Sequence, residues 1–313
     1  MHHVCVIANP ASGGANIEQL ALALEEIFVE PWTYELHLTR RGEDLAAWVA
    51  SRLWDGADLF VAAGGDGTVR SVAGALLGSG VPLGIIPMGT ANILAHDLRL
   101  PLRLGPALAL IAGDHAMLDL DAIQAQGSCA LLNLSMGFSP EIIRGTGSQE
   151  KRRYGMFAYL WAGLRKLFTA RVREMVLVLD GQERRLRATE VFVANCPSLG
   201  IPELTITERI DPTDGTLQVI VFRGRSVADY VVAAWELLTR RGRSGRTLQV
   251  FPVRETVSIL SPQGLDVQAD GDLLGSTPLT AQLLPGAVRV IVPQDRAAGR
   301  RARLPGQIQM EGR

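Results

Sequence analysis

The sequence predicts an α/β fold in two parts, a layered α/β domain followed by an antiparallel β-sandwich. Three observations carry this. At 313 residues the chain exceeds what one hydrophobic core usually serves. Its first third alternates short apolar runs with helix-period segments. After about residue 120 the runs become short, β-rich and closed by turn residues.

VCVIAN (4–9) reads as a buried strand, and IEQLALALEEIF (17–28) has apolar residues at helical spacing. YELHLT (34–39) is a second strand, followed by a helix near EDLAAWVASRLW. DLFVAAG (58–64) is a third strand, TVRSVAGALLG a helix, PLGIIP (82–87) a fourth strand, and TANILAHDL begins another helix. Strands alternating with helices imply parallel pairing. Beyond them, CALLNLSMGF, EMVLVLDG, RRLRATEVFVANC, TLQVIVFRG, ETVSILSP and LDVQADGDLLG suit an antiparallel sandwich, interrupted by helical stretches at 154–169 and 227–239. The expected division is 1–122, 123–293 and a basic tail at 294–313 that either packs on the first domain or frays.

A hydrophobic share of 47% with 20% charged residues is an ordinary globular balance. A net charge of −1 argues against nucleic-acid binding. The charge is uneven, since residues 151–173 carry seven cations and no acid. With Tyr154, Phe157, Tyr159 and Trp161 interleaved, that stretch suits either an anionic membrane surface or the basic outer face of a core helix. Three scattered cysteines and five histidines suggest neither a disulfide framework nor a metal cluster. No signal peptide and no ~20-residue apolar run is read, so the expected location is cytoplasmic, with any membrane contact peripheral.

Three glycine-rich segments leave strands in the first part: NPASGG (9–14), GGDGT (64–68) and PMGTAN (87–92). Glycine tolerates positive φ and lets backbone N–H groups approach phosphate oxygens, and a helix N-terminus adds a favourable field. Ser12, Thr68 and Thr90 could each cap a helix or bond a phosphate. None of the segments is a Walker A loop or GxGxxG.

These residues carry a resemblance. GGDGT, with NPxSGG before it and P-x-GTAN after it, resembles the diacylglycerol kinase catalytic family, which includes bacterial lipid kinases and sphingosine kinases. The likeness continues through LNLSMGF (132–138), DPTDGTL (211–217) and ADGD (269–272). It implies a nucleotide-binding α/β domain, a β-sandwich and an active site in the cleft between them. It further implies that ATP is held by Asn9, Ser12, Thr39, Gly64, Gly65, Asp66, Gly67, Thr68, Gly89, Thr90 and Asn92, with Asp66 acting through Mg²⁺. Thr39 could instead cap the next helix. Asp211, Asp214 and a main-chain carbonyl near Thr216 would hold a structural Mg²⁺, although the same loop reads simply as a turn. The implied acceptor is a lipid with a free hydroxyl.

The chain departs from the family where DGE reads Gly271-Asp272 after Asp270, and where the usual Asn-Glu after GGDGT-x reads Arg70-Ser71. A third departure is Ile93, after GTAN. Asp272 is therefore either the general base or merely the first residue of a strand after a hairpin turn. The alternatives left open are a kinase for a soluble acceptor such as NAD and a catalytically silent lipid- or nucleotide-binding relative. Asp180-Gly181 matches nothing in the family and reads as a plain hairpin turn.

Overall fold

The computed structural model describes residues 2–13, 16–137, 172–198, 210–224, 229 and 247–301. Its first elements follow the hydrophobic pattern: β1 (His2–Ala8), α1 (Ile17–Ile27), β2 (Trp32–Leu38), α2 (Leu45–Trp54), β3 (Leu59–Gly64), α3 (Asp66–Ala75), β4 (Leu83–Pro87) and α4 (Ile93–Asp97). β3 is buried throughout, and its residues alternate between two cores as a strand covered on both faces must. Phe60 and Ala62 join the core under α2, α3 and α4, whereas Leu59, Val61 and Ala63 join the one under α1 and α5 (Leu104–Ala112). The caps lie away from the hydroxyls weighed for that role. Asn16 accepts from Gln19 N–H (3.0 Å) to start α1, and Asp44 accepts from Ala47 N–H (3.0 Å) to start α2. Thr39 and Ser12 therefore cap no helix. Gly65 and Asn92 hold the cap positions of α3 and α4, so Thr68 and Thr90 do not either.

The remaining elements are β5 (Ala116–Ala125), β6 (Ser128–Ala130), β7 (Asn133–Gly137), β8 (Arg173–Leu179), β9 (Gln182–Ala188), β10 (Glu190–Ala194), β11 (Leu217–Phe222), β12 (Leu248–Val253), β13 (Thr256–Leu260), β14 (Asp266–Ala269), β15 (Asp272–Ser276), β16 (Leu279–Val292) and α6 (Gln294–Arg301). One sheet runs β2-β1-β3-β4-β16-β13-β8-β9, with β5 paired to β16 and to β6. β1 to β4 pair in parallel, and the rest of the sheet is antiparallel except for the parallel β4–β16 contact at Leu83 and Val290. A second, antiparallel sheet of order β12-β11-β10-β7-β14-β15 faces it. Leu177, Val257, Ile259 and Leu283 from the first sheet and Leu134, Val193, Val219 and Val267 from the second fill the core between them.

The strand β16 thus belongs to both halves. At the tail, residues 294–301 form a helix, with Ala297 packed against the core of the α/β half, and residues 302–313 lie outside the described residues. The stretch 154–169 lies outside the described residues, and of 227–239 only residue 229 is described, as helical.

Candidate active site

Parallel strands β2, β1, β3 and β4 deliver their carboxyl ends to one rim, where α/β sheets receive ligands. Backbone bonds carry the ladder one residue into the loops. Thr39 N–H donates to Ala8 O (2.9 Å), Asn9 N–H to Ala63 O (3.1 Å) and Met88 N–H to Gly64 O (2.8 Å). Asn9 then joins the first loop to the second, its Oδ1 accepting from Ala11 N–H (2.9 Å) and its Nδ2 donating to Thr68 Oγ1 (3.3 Å). Ser12 N–H closes a turn onto Asn9 O (3.1 Å). Asn92, at φ 47°, locks the third loop with reciprocal bonds to Gly89 N–H and Gly89 O, both 2.9 Å.

Two glycines are dictated by contact. A Cβ on Gly89 would stand 2.5 Å from Gly65 Cα and 2.8 Å from Asn92 Oδ1. The loops therefore touch backbone to backbone, and beside that contact the first N–H groups of α3, at Asp66 and Gly67, have no partner within the helix and can meet an anion. A Cβ on Gly13 would lie 3.3 Å from Thr90 Oγ1, so the first and third loops also meet. Asp66 is the first residue of α3, and not part of the loop as the sequence suggests. Its Oδ1 accepts from Leu94 N–H (3.1 Å) at the start of α4, and its Oδ2 has no partner among the described residues.

The β14–β15 hairpin reaches this rim from the opposite sheet. Asp270 (φ 48°) and Gly271 (φ 89°) make the two-residue turn, both with the positive φ that a type I′ hairpin requires. The Asp270 carboxylate accepts three backbone N–H groups, from Leu131 (2.8 Å), Leu132 (2.9 Å) and Asn133 (3.0 Å). Burial raises its pKa against the pull of those donors and of Arg70. Asp272, its side chain 63% exposed, opens β15. Its Oδ2 lies 3.9 Å from where a Gly67 Cβ would stand, and 2.6 Å from Arg70 Nη2. Arg70 Nη1 donates to Ala269 O, also at 2.6 Å.

A further acidic cluster forms around the DPTDG loop. Asp211 Oδ1 accepts from Thr213 N–H (3.2 Å) and Thr213 Oγ1 (2.7 Å), and Arg296 Nη2 on α6 approaches it at 4.0 Å. Asp121 on β5, 2% exposed, accepts from Gly215 N–H (2.7 Å) and Gly286 N–H (2.8 Å). The Asp214 carboxyl is pushed up to about 6 by burial, with Asp211 and Asp121 adding to it, against a bond from Thr216 N–H. Asp211 and Asp214 supply carboxylate oxygens, the donor type that Mg²⁺ takes, although with Asp121 they do not close into a set whose ligand atoms all lie within 4.8 Å of one another.

Among the described residues, ligand atoms of His3, Cys5 and Glu35 gather within 4.8 Å, a trio the sequence does not announce. Glu35 is already ion-paired to Arg52 (2.7 Å), and burial pushes the Cys5 thiol up to about 11, so this trio is a poor cation site. All three cysteines are free.

Residues 3–124 match the diacylglycerol kinase catalytic domain, and residues 135–292 match the YegS C-terminal NAD kinase beta sandwich-like domain. The chain belongs to the YegS and diacylglycerol kinase family of lipid kinases. It is 29% identical over 279 residues to a Pseudomonas putida protein named "Probable lipid kinase YegS-like", covering 88% of this chain and 91% of the relative. Lipid kinase YegS of Escherichia coli is 26% identical over 271 residues, 85% of this chain and 88% of the relative. A crystal structure described as a diacylglycerol kinase from Bacillus anthracis shares the fold at a TM-score of 0.71 and 22% identity, covering 94% and 98% of the two chains.

Within this lipid kinase family the three loops and Asp272 were readable from motifs, and the fold brings them to one rim. Asp211, Asp214 and Thr216 gather instead beside Asp121 and α6. Three residues went unassigned. Asp270 reads as turn chemistry because Asp-Gly is a common hairpin pair. Arg70 reads only as a departure from the family pattern, and Asp121 sits in an apolar strand with no motif around it. An acid inside the apolar alternation of LDLDAI is the available signal for Asp121, since a buried carboxylate must find donors.

Proposed function

We propose that this lipid kinase transfers the γ-phosphoryl group of ATP to the hydroxyl of a lipid. What supports this most is the approach of Asp272, from the sandwich hairpin, to Gly67 in the GGDGT segment of the α/β half. A candidate base and a candidate phosphate cradle are 205 residues apart in sequence (272 − 67) and adjacent in space.

The first N–H groups of α3, at Asp66 and Gly67, receive the phosphates beside the 87–92 segment. Asn9 and Asn92 hold those loops in shape. Asp66 would hold Mg²⁺, which when bound would supply charge neutralisation for the transferring group. Asp272 takes the proton of the lipid hydroxyl as the new P–O bond forms, and ADP leaves with the electrons of the broken bond. The acceptor comes from a membrane surface; among the described residues no helix is long and apolar enough to span a bilayer.

Radiolabelled ATP incubated with a total lipid extract, with NAD and with neither acceptor tests this reading. Label in a lipid band is the expected result. Label on NAD would transfer the reading to a soluble acceptor. Nucleotide binding without any labelled product would make the chain a silent relative.

A further inference from the structure

We propose that Arg70 is the positioning residue for Asp272, a single guanidinium setting the carboxylate of the sandwich half against the GGDGT segment of the α/β half. This rests on the reading of Asp272 as the base. The geometry behind it is specific. Gly67 and Arg70 are three residues apart on α3 and so share one face of the helix. On that face Asp272 Oδ2 lies beside Gly67, 3.9 Å from where its Cβ would stand. Arg70, 20% exposed, spends both terminal nitrogens on the hairpin, Nη1 on Ala269 O and Nη2 on Asp272 Oδ2, each at 2.6 Å. The fork therefore grips the last residue of β14 and the first of β15 at once.

An exposed single-point ion pair would contribute little. A planar fork engaging two acceptors in fixed directions is a different device, and lysine cannot reproduce it. The division of the two carboxylate oxygens follows from the contact. Oδ2 is anchored, while Oδ1 accepts no bond among the described residues and is free to take a proton. An aspartate is short, and without a grip on its far oxygen it would sample rotamers that withdraw it from Gly67.

A double-mutant cycle on the full chain tests this, using Arg70→Gln, Asp272→Asn, the double variant and Arg70→Lys. Turnover is measured with radiolabelled Mg–ATP and lipid extract, and unfolding midpoints are measured on the same proteins. Arg70→Gln is expected to lower kcat on the order of 10²-fold, as misplacement of a reacting group does, with the KM for ATP within about two-fold. In the Asp272→Asn background the same change should cost nothing further, since no base remains to be positioned. Arg70→Lys should fall between wild type and Arg70→Gln, keeping the charge and losing the fork.

A raised KM for ATP with kcat intact would make Arg70 a phosphate ligand and overturn the proposal. So would losses that multiply in the double variant. If wild type labels no lipid, the proposed function fails, and the unfolding midpoints still decide the contact. Midpoint shifts of Arg70→Gln and Asp272→Asn that are less than additive uphold the Arg70–Asp272 grip, and additive shifts overturn it.

Discussion

The dipeptide Asp-Gly closes two hairpins here, and the two aspartates have different tasks that no local pattern reveals. Asp180 (φ 46°) turns β8 into β9, as the sequence suggests, and also accepts N–H bonds from Arg254 (2.8 Å), Glu255 (2.9 Å) and Thr256 (3.0 Å). Asp270 does the same for residues 131–133, but there the donors are buried, Leu131, Leu132 and Asn133 all being at most 4% exposed. Removing an acceptor from buried donors costs each of them its desolvation, whereas exposed donors turn to water. Asp270→Ala should therefore destabilise by roughly 3–5 kcal/mol and Asp180→Ala by about 1 kcal/mol, read by urea unfolding. Equal losses would mean that burial does not distinguish them. For Asp272, in the same turn, the expected signature is opposite. Asp272→Asn should lower the unfolding midpoint only by the small amount its Arg70 ion pair contributes, well short of Asp270→Ala, and cost ~10²–10⁴ in turnover, because its carboxylate is exposed and its proposed task is proton transfer. Full activity in Asp272→Asn would leave Asp272 as no more than the start of a strand.

β1 to β4 and α1 to α3 fall within a few residues of their sequence expectation, the strands because short apolar runs end in turn residues and the helices because one face is polar and the period can be counted. The helix α5 escapes, since LGPALALIA is almost wholly apolar and offers no contrast to set its period. The strand β16 escapes for another reason. Pro285-Gly286 breaks its run at the bulge between Leu284 and Val288, and its partner β5 lies some 160 residues earlier. Loop glycines were legible as a class and not individually. Gly89 meets Gly65 backbone to backbone, so Gly89→Ala should force the two loops apart, cost about 1–3 kcal/mol and weaken Mg–ATP binding measured by calorimetry. Gly105, in the first turn of α5 with nothing within 4 Å of its missing Cβ, is the control. Gly105→Ala should be neutral or stabilising by up to about 1 kcal/mol. A Gly89→Ala protein with wild-type nucleotide affinity would mean that the close approach has no part in phosphate binding.

Across both halves, one continuous sheet makes the chain a single mechanical unit, and the acidic cluster sits where its pieces converge. Asp121 on β5 holds both the 211–215 loop, through Gly215 N–H, and the β16 bulge, through Gly286 N–H, while Arg296 of α6 closes over Asp211. Nothing local announces this, because the four segments come together only in three dimensions. The raised Asp214 carboxyl gives the cluster a pH dependence whose sign can be worked out. Its ordinary value of 3.8 rises to about 6 in the folded protein, so between those values the native state binds more protons than the unfolded one. Without a cation, stability contributed by Asp214 is therefore full below 3.8 and falls as pH rises through 6. A cation must displace that proton, so binding at Asp214 strengthens over the same interval. Added Mg²⁺ should accordingly raise the thermal midpoint of wild type more at pH 7 than at pH 5, by mass action on the native state alone. Asp214→Asn should abolish that difference and flatten the decline in stability measured without the cation. If Mg²⁺ stabilises wild type and Asp214→Asn alike at both pH values, the DPTDG loop holds no cation, and Arg296 and the backbone donors suffice to neutralise it.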